Sequence, residues 1–200
     1  MTRISPIPWE PIWLLSLLVW LVSAIWIGVR QFRARTFRLP RSPLFYGALA
    51  LVIAIPVGLK LLDYRFVPFS RADAATGVDP SLPELHTRRY NAHTVDELYE
   101  ASLQAVQSLS TYGQPWTIVF VNLQPGWGGR IVAKVPAPFR LDTLSITIQA
   151  VPRAPDSEEV AFVRLDVYSA APPGRFDFGE NARHIRQFLR ALDARLPEGE

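Results

Sequence analysis

Two long apolar runs in the first third of the chain constrain its fold more than any other feature. Residues 12–29 read IWLLSLLVWLVSAIWIGV and carry no charge. About 20 apolar residues cross a bilayer core of about 30 Å, so this run nearly fills one and its flanks complete it. A signal peptide would have a shorter apolar stretch, about 7–15 residues, followed by a small-residue cleavage site. Here the run ends instead in Arg30, Gln31, Phe32 and Arg33. Trp9 and Trp13 sit near one end and Trp26 near the other, as suits a side chain enriched at both bilayer interfaces. The second run, residues 44–62, reads LFYGALALVIAIPVGLKLL. Pro56 removes one helix donor, Gly47 and Gly58 leave room for a neighbouring helix, and Lys60 can snorkel toward headgroups.

Between the runs lie Arg30, Arg33, Arg35, Arg38 and Arg41, with no acidic residue. The positive-inside rule predicts that loop 30–43 is cytoplasmic. Both termini and the remainder of the chain then face the periplasm or an equivalent lumen. The expected location is a bacterial inner or photosynthetic membrane, in a multi-pass arrangement. The lipid bilayer is accordingly the first expected partner. The formal net charge of +3 is modest and much of the excess falls in this loop, so the basic balance does not indicate nucleic-acid binding.

Beyond the second run the composition changes. Residues 65–85 hold Pro68, Pro80 and Pro83 among small and polar residues and read as a linker. Residues 86–197 read as one soluble domain. Residues 88–92 suggest a short strand. Thr94 and Glu97 form a capping-box signature, and Val95, Leu98, Tyr99, Ser102, Ala105, Val106 and Leu109 repeat at helical spacing. The segment WTIVFVNL, 116–123, is dense in β-branched and aromatic residues, and a Pro-Gly-Trp-Gly-Gly turn leads into a further strand at 130–135. Leu144, Ile146 and Ile148, then Val163, Leu165 and Val167, alternate with polar residues, which marks strands with one wet face. A last helix is predicted to open at Asp177, with Glu180 at the capping-box position. Its apolar stripe is Phe178, Ala182, Ile185, Leu189, Leu192 and Leu196, and Arg183, Arg186 and Arg190 form its expected wet face. These elements predict an α+β fold: two transmembrane helices, then a two-layer domain of a mainly antiparallel sheet, about five strands, with two helices on one face.

The stretch 165–189, LDVYSAAPPGRFDFGENARHIRQFL, resembles the C-terminal signature of the family catalogued as domain of unknown function 1499. Asp177, Phe178, Gly179, Asn181 and Ile185 match it, and Arg89-Tyr90-Asn91-Ala92 before a Glu-rich helix start resembles the family's first strand and helix. The resemblance covers most of residues 85–196. Ala171 and Pro172 stand where the family tends to carry Ser-Arg, and Tyr168 where it often has Arg. The resemblance implies no reaction; it implies an association with energy-converting membranes.

No residue set adds up to an active site. With no cysteine, thiolate metal sites and cysteine nucleophiles are excluded. His86, His93 and His184 do not pair at helical spacing and read as surface or capping residues, so no metal or other cofactor is expected. The serines near residue 108 lack a nucleophile elbow. Asp177, Gly179 and Asn181 read as a helix cap. The candidate partner-binding residues are Trp127, on a glycine-rich turn, with Arg183, Arg186 and Arg190. Together these readings predict a non-enzymatic, membrane-anchored accessory subunit that braces a larger membrane complex, photosynthetic or respiratory, with other membrane subunits as partners. The alternative is a periplasmic module whose sheet and last helix enclose a lipid or other apolar ligand.

Overall fold

The computed structural model describes residues 9–35, 42–62, 73–79, 82–154, 157, 159–173, 177 and 179–196. The chain divides into two compact units, Thr2–Phe69 and Ser70–Glu200. The arginines Arg38 and Arg41 lie outside the described residues, as does Phe178 of the expected stripe.

The first unit holds α1 (Trp9–Arg33) and α2 (Pro43–Leu61), both long and apolar enough to cross a membrane. Helix α1 extends beyond the apolar run at both ends, so Arg30 and Arg33 form its last turn. Ser42 caps α2, its hydroxyl accepting from the Phe45 amide at 3.4 Å. The helices pack against each other antiparallel: Trp20 meets Phe45 at 6.0 Å between ring centroids, and Trp13 reaches Val52. The second contact follows from Pro56. Proline has no amide to give to the carbonyl four residues earlier, and that carbonyl is Val52. Trp13 Nε1 donates to it at 2.9 Å. An unsatisfied carbonyl in an apolar medium costs several kcal/mol, so the tryptophan of one helix satisfies what the proline of the other leaves open. Gly47 and Gly58 take no part: a Cβ added at either would meet nothing within 4 Å.

The second unit is built on an antiparallel sheet. Its strands are β1 (Asp73–Ala75), β2 (Arg88–Tyr90), β5 (Thr117–Gln124), β6 (Gly128–Ala137), β7 (Arg140–Pro152) and β8 (Val160–Ala170). A two-residue pair, β3 (Ser110–Thr111) with β4 (Gln114–Pro115), stands apart. The order across the sheet is β1-β8-β7-β6-β5, and β2 also pairs with β8. Strands β1 and β2 lie end to end along β8, Asp73 opposite Ala170 and Tyr90 opposite Val163. Thr76 continues the ladder between them: its amide donates to Val167 O at 2.9 Å, and its hydroxyl accepts from the Val167 amide at 3.0 Å.

This arrangement corrects the linker reading of residues 65–85. Asp73–Ala75 is a strand, Pro83–Leu85 is a 3-10 turn, and Leu82 and Leu85 are buried. The folded unit therefore starts ahead of residue 86. A three-residue strand has too little alternation to betray itself among prolines and small residues.

Helix α3 (Val95–Ser108) forms as its sequence predicts. The Thr94 amide donates to Glu97 Oε2 at 2.9 Å and the Glu97 amide to Thr94 Oγ1 at 3.2 Å. Val95, Leu98, Tyr99, Ser102, Ala105 and Val106 are buried. Helix α4 (Glu180–Asp193) starts three residues later than predicted, with Gly179 in the left-handed region at φ 76°. Asp177 still serves the helix start, its carboxylate accepting from the Gly179 amide at 2.7 Å and the Asn181 amide at 3.3 Å. Both helices cover one sheet face, α3 under β5–β7 and α4 under β1, β7 and β8. Ile131, Leu144, Ile146, Ile148, Leu165 and Val167 fill that face. The opposite face carries Arg130, Thr147, Gln149, Arg164 and Tyr168, all exposed. The second unit is thus a two-layer α+β unit.

Candidate functional site

The four candidate partner-binding residues separate into two environments. Arg190 is exposed. Arg183 and Arg186 are buried, at 4% and 7% exposure, which overturns their placement on a wet helix face. Helix α4 has no broad wet side because α3 and the 3-10 turn flank it while the sheet covers it. Arg183 Nη1 donates to Glu180 Oε1 at 3.1 Å. Arg186 Nη1 lies 3.6 Å from Glu84 Oε2, joining α4 to the segment expected to be a linker.

These arginines border a buried polar cluster. Arg140 Nε donates to Asp142 Oδ1 at 2.7 Å, and its Nη2 reaches the backbone carbonyl of Asp177 at 3.4 Å. Tyr112 donates to Glu180 at 2.9 Å. Asn181 accepts from Ser169 at 2.7 Å and donates from Nδ2 to Asp177 Oδ2 at 3.0 Å. His184 lies at the centre, fully buried, contrary to the surface or capping role expected of it. Its Nδ1 is 3.8 Å from Asp142 Oδ2 and its Nε2 is 3.7 Å from Glu180 Oε2, beyond hydrogen-bond length in both cases. The Trp116 ring stands edge-on to it at 5.9 Å. Burial pushes the His184 imidazole down to about 3, and the guanidiniums of Arg140 and Arg183 add to the shift. At neutral pH it is therefore an uncharged ring. The cluster is charge-paired and enclosed, and it holds the start of α4 to β7. His86 is exposed and His93 is half-buried beside Tyr90. No group of three or more His, Asp or Glu suited to a metal ion occurs among the described residues.

The exposed chemistry lies at the other edge of the sheet. Among the described residues, strand β5 pairs with β6 on one side and the sheet order ends with it. Its eight residues carry no charge. Val119, Phe120, Val121 and Leu123 are all exposed, Val121 at 51%. The ladder shifts register between Ile118 and Phe120. Natural edge strands are usually blunted by charge, proline or brevity; a long apolar edge is a template for pairing with another chain.

Trp127 belongs to the same surface. The β5–β6 turn is closed by the Trp127 amide donating to Gln124 O at 3.0 Å, with Gly126 at φ 75°. The indole is 66% exposed. Two close approaches explain the glycines that follow. A Cβ at Gly129 would stand 2.5 Å from the Tyr99 ring, and one at Gly128 would stand 2.8 Å from Ile148 O. The turn is thereby seated on α3 and β7, with Trp127 projecting from it. The glycine-rich turn marks Trp127 in the sequence, whereas 116–123 reads there as a strand with no position in the sheet assigned to it. The absence of any charged residue from it was the available signal. No protein-family model matches the chain, and no curated protein matches its sequence.

Proposed function

We propose that this chain is a non-enzymatic accessory subunit, anchored in a membrane by α1 and α2, that braces a larger membrane complex through the β5 edge and Trp127. The observation that carries this reading is the long, uncharged, apolar edge of β5 beside an exposed tryptophan. Main-chain pairing along such an edge gives affinity, and a neighbouring aromatic anchor gives a hot spot. The buried cluster supports the same reading, because its ionisable groups pair with one another behind a packed helix. The open faces of Gly47 and Gly58 suit close approach by a helix of another subunit. A photosynthetic or respiratory host follows from the family resemblance.

Copurification in mild detergent tests this. Trp127→Ala should cost about 1–4 kcal/mol at a true hot spot, seen as a fall in host complex recovered with the chain. Val121→Lys should act likewise by placing a charge on the pairing edge. Both side chains are exposed, so circular dichroism should stay unchanged. An undiminished yield with both variants removes this edge from the interface.

The proposed orientation places loop 30–43 in the cytoplasm and the C-terminal unit in the periplasm. The natural absence of cysteine makes single-cysteine labelling clean. Thr147→Cys, on the wet sheet face, should react with a membrane-impermeant maleimide added outside the inner membrane. Reaction only after that membrane is breached would reverse the orientation.

A further inference from the structure

The two hairpin ends of the sheet point opposite ways, and β1 begins toward only one of them. Asp73 opens β1 opposite Ala170; Ala170 lies opposite Thr143, and Thr143 opposite Lys134. From this row β1 runs toward the Trp127 end, since Ala75 pairs with Tyr168. Asp73, the first residue of β1, therefore lies toward the other end, the one to which the β6–β7 hairpin points. That hairpin remains paired for three residues past the row, to Ala137 opposite Arg140. At about 3.3 Å per residue, its tip stands roughly 10 Å or more beyond the row.

The tip has an unusual make-up for a solvent-facing turn. Its loop is Pro138-Phe139, and Phe139 is fully exposed at φ 61°. Bulky residues seldom adopt this left-handed conformation; a turn with proline before it ordinarily places glycine there. Leu141 is half exposed. Residues 135–141 contain no acid, and Asp142 is buried against Arg140. An aromatic and a leucine are thus held outward on a proline-stiffened loop with no carboxylate to repel an anionic surface.

We propose that this hairpin tip, Phe139 with Leu141, dips into the interfacial layer of the bilayer that holds α2. The proposal rests on the reading of α2 as a membrane span. Eleven residue steps separate Leu62 from Asp73, so this segment spans at most about 40 Å. Its sequence includes Tyr64, Phe66 and Phe69 with Arg65 and Arg71, residue types suited to the headgroup region. Insertion of the tip gives the folded unit a second attachment. Trp127 is then at the far end of the strands, away from lipid, which assigns it to a protein partner rather than to the bilayer.

The test uses the full chain in vesicles of phosphatidylcholine and phosphatidylglycerol. Single-cysteine variants F139C, L141C, W127C and L51C carry a nitrobenzoxadiazole label. L141C keeps the phenylalanine in place. Nitroxide-bearing lipids are expected to quench the labels at 139 and 141 several-fold more than the label at 127, with shallow nitroxides the most effective. The label at 51 should be quenched by deep nitroxides. Quenching at 51 with none at 139 or 141 overturns the insertion while leaving the membrane span intact. Shielding of 139 from aqueous iodide without lipid quenching places the tip against protein and also overturns it. No quenching at 51 overturns the span itself, and the proposal with it.

Discussion

Replacing Arg140 with methionine is expected to cost the folded unit about 3–5 kcal/mol, the usual range when one member of a buried ion pair is removed. Asp142 is fully buried, and Arg140 supplies both its short bond at 2.7 Å and a second at 3.3 Å. Burial raises the Asp142 carboxyl, and the Arg140 hydrogen bond and charge pull it back down. Without Arg140 the carboxylate must take up a proton or unfold the site. The deficit should therefore shrink on acidification, because the raised folded-state value makes Asp142 in the variant most favourable when protonated. The variant also loses the contact from Arg140 to the Asp177 carbonyl, which ties β7 to the start of α4. Urea denaturation of residues 70–200 is the appropriate measurement. A fragment cut at residue 84 would lack β1, Thr76 and Leu82. Pairing Arg140→Met with Asp142→Leu should recover most of the loss, since buried ion pairs and apolar replacements of similar volume are often close in stability. A single variant as stable as the parent would show that Asp142 is already neutral.

The parts of this fold that were legible in the sequence are those whose stabilisation is local or periodic. Thr94 and Glu97 bond to each other across three residues, so spacing alone reveals them. The alternation in β7 and β8 reports one wet and one dry face directly. The apolar length of α1 and α2 needs no tertiary information. The opacity of α4 has a different cause. A hydropathy pattern treats every arginine as solvent-facing, whereas Arg183 and Arg186 enter the interior together with Glu180 and Glu84. Such pairs cancel in charge but not in hydropathy. His184 was misread for the same reason: its neighbours Asp142 and Trp116 lie about 40 and 70 positions away in the chain. The sequence marks β5 as a strand because apolar and β-branched content reports β propensity, while its edge position depends on strand order. Trp127 and Phe139 lie at opposite ends of the sheet because they flank the two ends of one strand, β6.

The enclosed histidine gives the unit an acid sensitivity with a definite sign. In the unfolded chain His184 takes up a proton near its ordinary value of 6.5; in the folded unit burial holds it to about 3. Between those values the unfolded state binds the extra proton, so stability falls as pH falls from about 6.5 toward 3. At about 1.4 kcal/mol per pH unit, the full traverse removes roughly 4–5 kcal/mol. Two other groups modify the slope. Asp142, raised by burial, opposes it, because the folded state then gains a proton in part of the same range. Glu97, lowered by its bonds to Thr94, adds to the loss, but only below its ordinary value of 4.5. Above pH 4.5 the downward slope therefore comes from His184, with Asp142 acting against it. The replacement His184→Gln has no group that titrates there. Denaturation midpoints between pH 7 and 5 should decline in the parent and stay level or rise in the variant, whatever the variant's stability at pH 7. Parallel declines would mean that the imidazole accepts a proton in the folded state. The ring would then have drawn within bonding distance of Asp142 or Glu180, and the cluster would be ionically complete around a charged histidine.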